Sequence, residues 1–470
     1  MVEMSQEQIE AIVSEVVETL RRGGEVQTGT TTTSVAGLFK TADQAVAAAK
    51  QAQADLAALG FKKREDLIAA IRRAGLEHAQ SLAELAVQDT GMGVVDHKRQ
   101  KNEGAANLSP GMEDLRSEAI TGDDGTLLVE YAPFGVINSI TPTTNPTSTV
   151  INHAIIMLSA GNAIVFSPHP NAYDCTIQSI SVVNQAIVAA GGPSNLLTAV
   201  ENATLRTVKE IMSNDDVSMV VATGGQSVVK AALTSGKKAI AAGPGNPPAV
   251  IDETADLANA TKSVINGTSF DNNLLCIGEK SLFVVQSVAN EALSQLTQNG
   301  GYLLTNSQLK KLEDLLDGDN EKDYIGKDAT EILKAIGINA PSSNTLAILA
   351  EVSADHIFVI NEYLMPILPI VRVQNFEEAL NGAVRAEGGR GHTGMLHTKD
   401  MSRVTQFQQA MNCTVIVINQ TSGAAAGFGG EGFLAMTVAG PTGEGFTKPT
   451  SFTRQQRLTV ANDLSRHTLA

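Results

Sequence analysis

Cys276 is the side chain whose surroundings most favour covalent chemistry in this chain. Within GTSFDNNLLCIGEK, Gly267 to Lys280, the thiol follows a polar Asp271-Asn272-Asn273 turn and two leucines and precedes Ile277-Gly278. It therefore stands at the end of a turn, beside a residue with no side chain to block an approaching molecule. A thiolate nucleophile needs that partial access, and a helix N-terminus or nearby donors to help it lose its proton. An isolated cysteine is more often a small hydrophobe in a core. The other two, Cys175 in a helical stretch and Cys413 at the start of a strand, read as buried and inert. Three scattered cysteines make no disulfide framework and point to a reducing setting.

The elements that must position such a turn alternate between strand and helix. Strands are expected at 136–141, 163–167, 196–200, 217–222 and near Ala239, separated by helices at 147–160, 172–190, 204–213 and 226–233. That order implies βαβ units and a parallel sheet, with ligands in the crevice at the strand C-termini. No GxGxxG follows the first strand. The strand ends carry Thr141-Pro142-Thr143-Thr144-Asn145-Pro146, Ser167-Pro168-His169-Pro170 and Thr223-Gly224-Gly225-Gln226; the last of these, opening a helix, offers backbone N–H groups to a phosphate. Past Gly243-Pro244-Gly245-Asn246 a second α/β unit is expected, with strands at 249–251, 281–285, 347–352, 357–359 and 415–418 and helices at 257–266 and 288–296. Residues 41–90 are helical and alanine-rich with a break at Gly60, and 122–131 read as a hairpin strand. The glycine-rich loop from Ser422 to Gly432 should wrap a site or an interface. The segment from Phe446 to Thr459 should be an exposed strand that pairs with a neighbouring subunit.

Composition narrows the function classes. The chain has 470 residues, 43% hydrophobic and 18% charged, with a formal charge of −16, which argues against nucleic acid and anionic membranes as partners. No apolar run is long enough to span a bilayer. The basic run His97-Lys98-Arg99-Gln100-Lys101 reads as a solvated face. At the N-terminus Ile9, Ile12, Val13, Val16, Val17 and Leu20 form one helical stripe over residues 5–22, followed by a Gly/Thr-rich tether from Glu25 to Gly37. Such a helix either folds back on its own body or docks into a partner's groove.

From about Ala36 onward the chain resembles the CoA-acylating aldehyde dehydrogenases, including the propionaldehyde and acetaldehyde enzymes packaged in bacterial microcompartments. The resemblance rests on ITPTTNPTST (Ile140 to Thr149), FDNNLLCIGEK, NEYLMPILPI (Asn361 to Ile370) and GRGHTG (Gly389 to Gly394), in that order. It implies an α/β fold with a Rossmann-type nucleotide-binding domain (38–121 and 134–245), a catalytic α/β domain (246–440) and an oligomerisation arm (122–133 and 441–470). Residues 1–22 would be an encapsulation helix for a shell protein, on a linker at 23–37. It further implies a homo-oligomer, dimer or tetramer, in the bacterial cytoplasm inside a microcompartment lumen.

Residue by residue, Cys276 matches the nucleophile, and Asn145 or Thr144 lies where the family places its oxyanion-hole asparagine. His392 resembles a family histidine able to deprotonate a thiol. Glu362 matches the glutamate that binds the nicotinamide ribose. Thr141, Pro142, Thr223, Gly224, Gly225 and Gly243 fall along the nucleotide path, and no residue is implied as a metal ligand. Ser167 and His169 fall near the adenosine ribose where hydrolytic relatives carry a lysine, so NAD is implied with NADP left open. The departure is at Ala242, in Ala242-Gly243-Pro244-Gly245-Asn246, where hydrolytic relatives have a water-activating glutamate. Without that base a cysteine thioester should wait for a better nucleophile, the thiol of coenzyme A. The expected reaction is reversible oxidation of a short-chain aldehyde to acyl-CoA. Its rivals are hydrolysis to a free acid and a catalytically silent, cargo-docking member.

Overall fold

Parallel strands buried on both faces organise the chain, which the computed structural model describes over residues 36–340 and 344–462. The expected N-terminal helix at 5–22 and nearly all of its tether lie outside those residues. The first described stretch runs β1 (Leu38–Phe39), α1 (Ala42–Ala57), α2 (Phe61–Glu77), α3 (Ala79–Thr90), α4 (Val95–Leu108), β2 (Glu118–Gly122) and β3 (Gly125–Pro133). It continues as β4 (Val136–Ile140), α5 (Pro146–Ser159), β5 (Ala163–Ser167), α6 (Tyr173–Ala189), β6 (Leu197–Val200), α7 (Leu205–Ser213), β7 (Val217–Thr223), α8 (Gln226–Leu233) and β8 (Lys238–Ala242). Six of these strands form a sheet in the order β1-β6-β5-β4-β7-β8. Every residue of β4 and β5 is buried, the signature of a parallel strand covered by helices above and below. Gly37, placed in the tether by sequence, already belongs to this sheet, since its carbonyl accepts from the Ala199 N–H at 2.9 Å.

The second stretch runs β9 (Pro248–Ile251), α9 (Leu257–Ser269), β10 (Ser281–Val285), α10 (Gln286–Gln298), β11 (Gly301–Leu303), α11 (Asn306–Leu315) and α12 (Ala329–Ala335). After these come β12 (Ala347–Glu351), α13 (Ile357–Ile360), β13 (Ile367–Val373), α14 (Phe376–Glu387), β14 (Thr393–His397), α15 (Met401–Met411) and β15 (Val415–Ile418). Its seven strands form a sheet ordered β11-β12-β13-β10-β9-β14-β15, with every pair parallel. The strand expected at 357–359 is instead the single helical turn α13. The His356 ring caps it by accepting from the Phe358 N–H, and Phe358 and Val359 are buried while Ile357 and Ile360 face out.

The remaining strands β16 (Val438–Ala439), β17 (Gly445–Phe446) and β18 (Thr453–Ala461) lie outside the two main sheets. β18 pairs antiparallel with β3 along its whole length, and β3 with β2, in a three-stranded ribbon. Most of β18 is exposed. Among the described residues no helix is long and apolar enough to cross a membrane.

Helix α5 connects the first sheet to the site. Pro146 opens it at a position that needs no N–H, and all its residues are buried. Asn145, its N-cap, does not use its side chain to cap. Helices α2, α4 and α6 pack around it, so α4 runs beside the turn between β4 and α5.

Candidate active site

The turn before Cys276 is built from three consecutive left-handed residues, Asp271 (φ 49°), Asn272 (φ 54°) and Asn273 (φ 63°). Asp and Asn tolerate this region better than other side chains, yet each such residue costs on the order of 1 kcal/mol and persists only where its surroundings hold it. Each here is held. The Asp271 N–H donates to His97 Nδ1 at 2.9 Å, and the Asp271 carboxylate accepts from the Val94 N–H at 2.8 Å. Asn272 Nδ2 donates to the Gly326 carbonyl (2.9 Å) and to Asp328 Oδ1 (2.8 Å). Asn273 Nδ2 donates to the Glu279 carbonyl at 3.0 Å, and its Oδ1 accepts from Lys280 Nζ at 2.8 Å.

The basic run on α4 is not a solvated face. Lys98 and Lys101 are each 2% exposed and both pair with Asp271, itself fully buried. Burial alone would raise the Asp271 pKa, but Lys101 and Lys98 together hold it below the usual carboxylate range. Lys98 Nζ also donates to the Thr144 carbonyl at 3.1 Å, and Lys101 Nζ to Asn145 Oδ1 at 2.6 Å. Burial pushes the Lys101 ammonium down to about 8, with Asp271 opposing. His97 stacks on Phe270 at 4.7 Å between centroids, and Phe428 of the glycine-rich loop lies against the same ring. α4 therefore ties the β4–α5 turn to the nucleophile turn, a role its sequence hides.

Cys276 is half-buried. Burial pushes its thiol up to about 12 and the nearby Glu362 carboxylate adds to this; Lys280 and the N–H groups of Cys276 and Ile277 pull the other way. The expected help in losing the proton is thus present but outweighed by burial and the Glu362 charge. Lys280 is itself buried, donates to the Asn273 and Leu275 carbonyls, and is pushed down to about 8 by burial. Opposite the nucleophile turn lies Gly245: a Cβ there would stand 2.5 Å from the Cys276 carbonyl oxygen and 3.0 Å from the His392 ring. Only a residue without a side chain lets these two segments approach so closely. His392 is 2% exposed, its Nδ1 lies 2.8 Å from Thr393 Oγ1, and its Nε2 is buried without a partner. Burial pushes its pKa down to about 4, helped by Lys280 and Arg390, so the ring is neutral at pH 7. Burial raises the pKa of half-buried Glu362, opposed by Lys280 and the Gly245 N–H.

The glycine-rich loop does wrap this segment: Ser422 donates its N–H and its hydroxyl to the Glu279 carboxylate. Of the other cysteines, Cys175 is buried and burial drives its thiol up. Cys413 is half-buried, not buried as its place at a strand start suggested, with its thiol pushed up to about 12, chiefly by burial.

The nucleotide-path residues gather at the C-terminal ends of β4, β5, β7 and β8. Thr141 is buried with Oγ1 unpartnered, and Pro142 beside it is half-buried. Ser167 accepts from Asn138 Nδ2 at 2.9 Å and lines a cleft with Phe166, Val200, Thr207 and Ile211. His169 is exposed, its ring capping its own turn through the Asn171 N–H. Thr223 shares a hydrogen bond with Thr437 at 2.8 Å, and Gly225 caps α8. The Gly224 N–H donates to the Ala242 carbonyl at 3.2 Å, so this amide is committed to the sheet and not presented to a phosphate. Ala242 is 3% exposed at the end of β8 and Gly243 is half-buried after it. An unpartnered hydroxyl on Thr141 and the half-buried carboxylate of Glu362 suit the polar groups of a dinucleotide. Among the described residues no three His, Cys, Asp or Glu side chains cluster as a metal site.

The chain is similar to known proteins along nearly its whole length. The acetylating acetaldehyde dehydrogenase EutE of Salmonella typhimurium is 42% identical over 98% of this chain and 99% of its own length. The propionaldehyde dehydrogenase from the Clostridium phytofermentans fucose utilisation bacterial microcompartment superposes with a TM-score of 0.91 at 42% identity, covering 92% of this chain and 100% of that one. A Rhodopseudomonas palustris propionaldehyde dehydrogenase, solved with bound CoA and an acylated cysteine, gives 0.89 at 41% identity over 91% and 98%. The model of the aldehyde dehydrogenase family matches residues 25–315 and 339–433, and the chain belongs to that family.

Proposed function

We propose that this chain oxidises a short-chain aldehyde, propionaldehyde or acetaldehyde, to its CoA thioester, and runs the reverse reaction with the same residues. The observation that carries this is Ala242: the strand end where hydrolytic relatives carry a base holds a buried methyl group. Identity above 40% to an acetylating acetaldehyde dehydrogenase supports the same class.

Cys276 Sγ gives up its proton to solvent and bonds to the aldehyde carbon as the carbonyl π pair moves onto oxygen, and the resulting oxyanion is held by Asn145 or Thr144 together with the Cys276 N–H. Such preorganised donors are worth roughly 3 kcal/mol each. Loss of hydride from that carbon leaves an acyl thioester on Cys276. NAD, when bound, supplies the hydride acceptor. Glu362 would hold its nicotinamide ribose, Ser167 and His169 its adenosine ribose, and Thr141, Pro142, Thr223, Gly225 and Gly243 the path between, with Gly224 contributing through its position. CoA then enters; neutral His392 Nε2 takes the proton from its thiol, the CoA sulfur bonds to the acyl carbon, and Cys276 leaves as thiolate.

The domain roles follow the sheets: nucleotide binding on the six-stranded sheet, catalysis on the seven-stranded one, and oligomer contact through the exposed β18–β3–β2 ribbon. Residues 1–22 would dock the enzyme to a microcompartment shell protein, placing it in the lumen; deleting them should abolish co-sedimentation with shell while sparing activity.

The test of the reaction is NADH formation from propionaldehyde with and without CoA. Sustained turnover only with CoA supports acyl-CoA synthesis. Equal turnover without CoA would sink it and cast Glu362, the carboxylate whose charge reaches the thiol, as the water-activating base.

A further inference from the structure

The buried cluster on α4 has one cation more than its anion requires. Asp271 carries a single charge, and Lys98 alone can balance it at 3.1 Å. Lys101 is a second buried ammonium on the same carboxylate, and burying a cation is costly unless something specific is gained. Its other contact is Asn145 Oδ1, at 2.6 Å.

That contact settles the orientation of the amide. Oxygen and nitrogen of an asparagine are ordinarily interchangeable in shape, but an ammonium only donates, so the atom facing Lys101 must be the oxygen. Nδ2 then points the other way, where one of its hydrogens goes to Thr144 Oγ1 at 3.0 Å. The second N–H is left to donate to a substrate oxygen. Asn145 spends nothing on capping α5, although asparagine is among the best N-cap residues. Meanwhile Lys98 grips the Thr144 carbonyl, so both neighbouring residues are fixed from one helix face.

We propose that Lys101 is a positioning residue of the oxyanion site: by donating to Asn145 Oδ1 it makes Nδ2 the atom presented to the oxygen of the aldehyde, with Thr144 supporting Asn145. This rests on the reading of Cys276 thioester chemistry with an oxyanion held at the β4–α5 turn. Lys101 itself touches no substrate and acts through Asn145.

The experiment is a double-mutant cycle on the CoA-free burst of NADH from propionaldehyde, which reports acylation alone. Lys101→Met should slow the burst roughly 10- to 100-fold while the aldehyde KM stays within about twofold. Asn145→Ala should slow it at least as much. Adding Lys101→Met to Asn145→Ala should change little more, because the lysine has lost the group through which it acts. Lys101→Gln, which keeps an amide donor without the charge, should restore part of the rate. Full additivity, an unchanged burst in Lys101→Met, or equal losses in the Met and Gln variants overturns the positioning role while leaving the chemistry of Cys276 intact. An unimpaired Asn145→Ala enzyme would overturn the assignment of the oxyanion site itself, and this inference with it.

Discussion

Ser422 donates both its backbone N–H (3.1 Å) and its hydroxyl (3.0 Å) to the carboxylate of Glu279, three residues past the nucleophile. The glycine-rich loop is thereby fastened to the segment that carries Cys276. Burial lifts the Glu279 pKa from 4.5 to about 7, opposed by the Ser422 donors. The folded chain therefore keeps a proton that the unfolded chain has lost over that interval, and stability should fall as pH rises from about 4.5 to 7. Glu279→Gln should flatten that part of the profile, and Ser422→Ala should steepen it. Thermal melts between pH 5 and 8 decide; parallel profiles for wild type and Glu279→Gln would refute the assignment.

Gly245→Ala should cost more activity than stability. The added methyl would meet the Cys276 carbonyl and the His392 ring from one side, so the two segments must part, and a displacement of about 1 Å at reacting groups costs roughly 100-fold. Single-turnover kinetics beside a melting curve would separate the two effects. An active Gly245→Ala enzyme would mean that the close approach is not needed.

The Cys276 thiol, lifted to about 12, should react slowly with iodoacetamide at neutral pH in the free enzyme, its rate climbing with pH toward that value. Removing the Lys280 charge by Lys280→Met should slow it further, because Lys280 favours the thiolate. The same variant leaves the Asn273 oxygen without its donor and should lower the melting temperature. Fast alkylation at pH 7 without cofactor would contradict this picture.

His392→Ala should spare the burst and suppress the CoA-dependent phase, by roughly 100-fold or more as general-base losses run. In wild type the CoA step should fail only as pH drops through about 4, where the ring becomes protonated. Equal slowing of both phases would place the histidine in a structural role.

Much of the fold can be read from the chain because buried parallel strands leave short, dense apolar runs. Ala163–Ser167, Ser281–Val285 and Val415–Ile418 stand in the structure where the pattern puts them. Ile357–Val359 misled because three apolar residues fit a strand as well as one helical turn, and His356 supplies the cap that decides. Strand β13 was visible only as part of a motif, since Pro369 sits in its middle, where a proline argues against a central strand. The site divides in the same way. Cys276, Glu362 and His392 stood in recognisable motifs. Lys98 and Lys101 did not, because charged residues on a helix are usually solvated and their partner Asp271 comes some 170 positions later. One signal was present: Lys98, Lys101, Asn102, Ala105 and Ala106 fall on a single helical stripe, the stripe that α4 buries.

The left-handed run at 271–273 has a consequence for biosynthesis. Its three side chains are fastened to α4, to the segment around Gly326 and Asp328, and to Glu279 and Lys280. A chain emerging from the ribosome has α4 and the cysteine long before it has residue 328. Until that later segment arrives, Asn272 lacks the partners that hold its backbone in this conformation. The nucleophile turn therefore takes its working geometry only after residue 328 has been made, about fifty residues beyond the cysteine itself.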